Sequence, residues 1–141
     1  MSPRRGAITA AALILAGCSQ TFDPPKAEPI PAAGPMVRLA LLPPSRVGDA
    51  AATVGKLVVE GPCLYLLHDD GTRTMPAFMT FDTQWRSGTL IVEGRQFAPG
   101  QRVVLGGSEV NGAVANMAWV QVPDASCDTA RIWVAVSINP A

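Results

Sequence analysis

The sequence is short of histidine, cysteine and long apolar runs, and each shortage removes a class of function. His68 is the single histidine, which excludes metal sites built on two imidazoles and the His-Glu-x-x-His helix. The three cysteines, Cys18, Cys63 and Cys127, include no Cys-x-x-Cys pair, so thiol redox catalysis is disfavoured. Neither a Gly-x-Ser-x-Gly elbow nor a Walker loop is present. Lysine plus arginine and aspartate plus glutamate each number 11. With no basic stripe, nucleic acid is not an expected partner, nor is an anionic membrane held by charge. The apolar run from Ala7 to Leu15 falls short of the about 20 residues that span a bilayer.

What is present begins at the N-terminus. Arg4 and Arg5 precede the apolar run, which ends in Leu15-Ala16-Gly17-Cys18 and is followed by Ser19. A positive head, a short apolar middle and small residues before a cut site make a secretory signal. Its close on cysteine resembles the lipobox of bacterial lipoproteins. That resemblance implies cleavage before Cys18, acylation of Cys18 and attachment without a transmembrane helix, since two or more acyl chains anchor stably. In that class a serine at position 19 is compatible with transfer to the outer membrane. The implied location is the cell envelope, on the outer membrane facing the periplasm. Loss of residues 1–17 takes Arg4 and Arg5 with it and leaves the mature chain slightly acidic.

The next stretch carries Pro24, Pro25, Pro29, Pro31 and Pro35. Proline at this density forbids helix and sheet ladders, so an extended, solvated tether is expected over 18–50. One domain is expected over 51–141, with its start somewhere between Val37 and Val54. Met36–Leu42 alternates weakly, as an edge strand or as the last piece of tether. Residues 46–53 could form a short helical turn.

From Val54 on, short β-branched and apolar runs alternate with glycine-bearing turns. Strands are expected over Lys56–Glu60, Cys63–His68, Thr89–Glu93, Gln101–Leu105 and Arg131–Ile138. Asp69-Asp70-Gly71 reads as a hairpin turn. Pro76 restricts Thr72–Phe78 to an edge or an irregular run, and Gly106-Gly107 closes a strand. The expectation is an all-β fold: a small antiparallel barrel or sandwich of five to six strands, OB-like. With Cys18 lipidated, Cys63 and Cys127 remain as one structural disulfide.

Three features are candidates for function. Ser108 and the pair Asp69-Asp70 read as turn residues, not as a catalytic set, and no enzyme activity or cofactor is expected. The stretch from His68 through Met75-Pro76 to Met79 resembles, in order and spacing, the periplasmic copper chaperones of the small OB-barrel type. That resemblance implies His68 and Met79 as Cu(I) ligands, and Met75 joins them in the alternative ligand set; imidazole and thioether suit the soft ion. Met75 stands where that family has tryptophan. The bland alternative is methionine filling the core. Trp85, beside Arg86 in an expected loop, is the candidate exposed aromatic for docking a partner. The function expected is a non-catalytic, lipid-anchored envelope protein whose β domain binds a protein or another envelope component.

Overall fold

The computed structural model describes Gly17, Gly34 and residues 36–47, 51–111 and 114–141. The signal segment, Cys18 and most of the tether lie outside the described residues. The chain divides at Pro31 into two units, and the second, Ala32–Ala141, holds all the described strands.

Nine strands occur among the described residues: β1 (Ala40–Leu41), β2 (Ala51–Glu60), β3 (Cys63–Leu67), β4 (Arg73–Phe78), β5 (Gln84–Arg86), β6 (Thr89–Val92), β7 (Arg95–Phe97), β8 (Arg102–Val110) and β9 (Ile132–Pro140). The fold is all-β, as the patterning predicts. Strand β2 pairs with β3 and β8, β4 with β3 and β9, and β8 with β9. These pairings close a five-stranded ring, and a closed barrel leaves few bare strand edges. The barrel is not purely antiparallel: β4 runs parallel to β9, and β1 parallel to β4. Strands β5–β7 form a separate three-stranded sheet, which brings the count above the five or six expected.

Side-chain alternation builds two cores. Leu57, Leu64, Leu66, Phe78, Val103, Leu105, Ala135 and Ile138 fill the barrel. Leu90, Val92 and Phe97 from the small sheet join the same cluster, so β5–β7 caps the barrel with its apolar face. The opposite parity of β3, β4 and β9 places Cys63, Tyr65, Met75, Ala77 and Ile132 in a second cluster on the barrel's outer wall. Strand β1 and the residues flanking it serve both. Val37 and Leu39 enter the first cluster, Ala40 and Leu42 the second. The expected tether is therefore shorter at its inner end, because the domain includes Val37–Leu42.

Four local expectations are corrected. Residues 51–53 extend β2 and form no helical turn, because they pair with Leu105, Gly106 and Gly107 of β8. Pro76 does not confine β4 to an edge or an irregular run, since β4 pairs with both β3 and β9. The N–H groups of Met75, just before it, and of Met79, just past the strand, donate to Arg131 O and Ala135 O on the β9 side, so the missing N–H of Pro76 faces the other edge. There β3 pairing ends at Thr74 and β1 pairing begins at Ala77, so no ladder bond is lost. Gly106-Gly107 does not end β8. Gly106 faces Ser137 and Gly107 faces Ala135, leaving Val136 as the extra residue of a bulge. The sequence reading also missed β5 and β7, each only three residues long.

Candidate binding surface

The disulfide forms. Cys63 at the start of β3 is bonded to Cys127 in the loop before β9, with the Cα atoms 5.6 Å apart. Both cysteines are buried, at 3% and 8% relative exposure. The bond pins a segment that leaves β8, makes a 3-10 turn at Val114–Asn116 and folds back over the outer wall of β3, β4 and β9. Val114, Met117 and Trp119 pack there against the second core. Trp119 Nε1 donates to Val114 O at 2.8 Å, and Tyr65 Oη accepts from Asp128 N at 2.7 Å. The chain itself thus covers the outer wall of β3, β4 and β9.

The expected Cu(I) ligands are not brought together. His68 Nε2 lies 2.8 Å from Thr74 Oγ1 and Nδ1 lies 3.1 Å from Val54 O. Both ring nitrogens are thus engaged, on the side of β4 that carries Thr74 and Phe78. Met75 and Met79 pack in or against the second core, on the other side of the wall. The geometry places imidazole and thioethers on opposite faces of one strand. The hydroxyl that His68 meets is that of Thr74, and Ser108 lies within β8, paired to Val134.

Asp69 and Asp70 serve the hairpin and its neighbours. Asp69 pairs with Arg102 at 2.6 Å, and Asp70 accepts from the Thr72 backbone and hydroxyl. The hydrogen bond and charge of Arg102 hold the Asp69 carboxyl below its ordinary range, and the Thr72 hydrogen bonds do the same for Asp70. Glu109 is lowered by its hydrogen bond from Arg131 across β8 and β9. These are exposed ion pairs and turn bonds that set strand register.

Trp85 is half-buried, with part of its ring on the barrel core. Its remaining surface lines a hollow of about 250 Å³ with Val37, Leu39, Leu41, Thr83, Gln84 and Gln121. A second hollow, about 230 Å³, is bounded by Leu41, Leu42, Pro44, Phe78, Thr80, Asp82, Thr83 and Val120. The two share Leu41 and Thr83, so they adjoin as one groove beside β1. Leu41 bridges to Gln121, which brings residues 120–122 against β1. Gln121 Nε2 donates to Leu39 O at 2.9 Å, and Arg38 Nε donates to Val122 O at 2.7 Å. Val120, which lines the second hollow, is 64% exposed. Sequence reading singled out Trp85 but not Val120, Gln121 or Leu41. Their signal was present in the weak alternation of residues 36–42, yet nothing local says that residues 120–122 lie beside it.

Comparison of the chain with protein-family models, with curated proteins and with solved structures finds no match.

Proposed function

We propose that this chain is a non-catalytic, lipid-anchored protein of the cell envelope, attached through Cys18, whose β domain binds a protein partner in the groove beside β1. One observation carries the binding reading: a hollow of mixed lining beside Trp85 and a more apolar one beside the exposed Val120 share Leu41 and Thr83. The groove suits an extended peptide. Leu41, Leu42, Pro44 and Val120 give it an apolar stretch, and the exposed Gln84 carboxamide can meet a peptide backbone. The outer wall of β3, β4 and β9 is covered by residues 114–128, whereas Val120 beside β1 stays exposed. The lipobox reading supplies the anchor, and the proline-rich tether supplies reach. The structure favours no Cu(I) reading, since His68 is separated from Met75 and Met79 by the barrel wall.

A photo-crosslinking residue at position 120 tests this in cells. It should capture a discrete protein partner, and Trp85→Ala should abolish the product while Val54→Ala, an exposed change on β2, preserves it. Cys18→Ala should abolish palmitate incorporation and membrane attachment. No adduct at position 120, or an adduct indifferent to Trp85, would remove the groove reading. Unchanged palmitate labelling in Cys18→Ala would remove the anchor reading.

A further inference from the structure

A second surface stands apart from the groove. In the small sheet, Trp85, Leu90 and Phe97 share one register row, with Leu90 and Phe97 buried and Trp85 packed against the core. The opposite face therefore carries Arg86 beside Thr89 and Ile91 beside Gln96. Arg86, Ser87, Thr89, Ile91 and Gln96 line a hollow of about 240 Å³ on that face.

The polar groups are a guanidinium, two hydroxyls and a carboxamide, all able to donate, and no carboxylate lines the hollow. Arg86 is also exceptional. Among the described residues, Arg46, Arg73, Arg102 and Arg131 pair with carboxylates. Arg38 and Arg95 donate to Val122 O and Ile138 O. Arg86 is the one described arginine with neither kind of partner. A fork of guanidinium donors matches a carboxylate or phosphate in a way a lone ammonium does not. The volume lies below the ~300 Å³ at which pockets for drug-sized ligands begin, so the occupant is one small group.

We infer that this hollow is a binding site for an oxyanion carried on a sugar-sized group, with Arg86 holding the carboxylate or phosphate, Thr89 and Gln96 meeting hydroxyls, and Ile91 forming the apolar floor. The inference is independent of the lipid anchor and of the groove.

Amide chemical shifts of the full-length chain, titrated separately with glucuronate, inorganic phosphate and glucose, test it. Glucuronate or phosphate should shift the signals of Arg86, Thr89, Ile91 and Gln96 with a Kd of about 1 mM, some 4 kcal/mol of binding. Glucose should not. Arg86→Gln should weaken binding about tenfold or more with the rest of the spectrum unchanged, and Arg86→Lys should retain part of it. A response to glucuronate alone assigns the carboxylate, and a response to phosphate alone assigns the phosphoryl group. Equal responses to glucose and glucuronate, no response to either anion, or unchanged binding in Arg86→Gln would overturn the site.

Discussion

Gly107 shows how much one side chain matters at the bulge. Its φ of 150° is one that L-residues rarely adopt, and a Cβ built there would lie 1.8 Å from Val134 O. The same Cβ would lie 3.2 Å from Trp133 Nε1, a buried donor with no hydrogen-bond partner in the structure. The backbone of β9 occupies the space a side chain would need, so only glycine fits. Gly107→Ala should therefore destabilise the domain by about 2–3 kcal/mol, an overpacking cost with backbone strain added. Urea unfolding measures it, with Ala51→Gly on the facing, exposed position as a comparison. An alanine variant as stable as the parent would mean that the bulge is not built as described. From sequence, Gly106-Gly107 could be recognised only as punctuation, because a turn and a bulge call on the same conformational freedom.

At the scale of elements, the segment between β8 and β9 depends most on a single covalent tie. Residues 114–128 contain one short 3-10 turn and a single bridge at Gln121. Val114, Met117, Trp119 and Cys127 pack on the barrel, and Val120, Gln121, Val122 and Asp128 add hydrogen bonds to it. The disulfide joins residues 64 apart, and closing a loop of that length is worth about 4 kcal/mol in the chain-entropy model. Alkylation of unreduced protein should add no mass at Cys63 or Cys127. Replacing both with alanine should lower stability by roughly that amount and raise amide exchange over 114–128 before the barrel strands open. Two alkyl groups on unreduced protein, or protection over 114–128 unchanged in the double variant, would contradict this account. Val120 and Gln121 of this segment line the groove, so the tie also holds them in place.

For the whole molecule, charge sets the response to acid. Asp69, Asp70, Glu109 and Asp124 all have carboxyls held below their ordinary values by hydrogen bonds or arginine neighbours. A lowered folded value means stability that is present above the unfolded value, 3.8 for aspartate and 4.5 for glutamate, and lost as pH falls through the folded value. The urea midpoint should be level near neutrality and fall below about pH 4, modestly, because exposed pairs are screened by solvent and salt. Glu109→Gln should reduce the fall. A midpoint that rises on acidification would reverse the sign and refute the assignment. Among the described residues the cores carry no ionised side chain: the buried polar residues are Thr74 and Thr80. Acid therefore weakens the surface ties first.

The alternation of apolar residues with glycine-bearing turns was enough to determine an all-β fold, and setting Cys18 aside left Cys63 and Cys127 as the pair that the structure joins. Such properties follow from local periodicity and from chemistry that needs only composition. The closing of β4 onto β9, the double service of β1 and the groove beside it were decided by tertiary structure. Each joins residues far apart in sequence, such as Leu41 to Gln121 and Met75 to Ile132. Local propensity does not encode which distant edge will be left bare for pairing. The same reason separates His68 from Met75: seven residues apart they read as one ligand set, but a strand turns successive side chains to opposite faces, and the barrel wall came to stand between them.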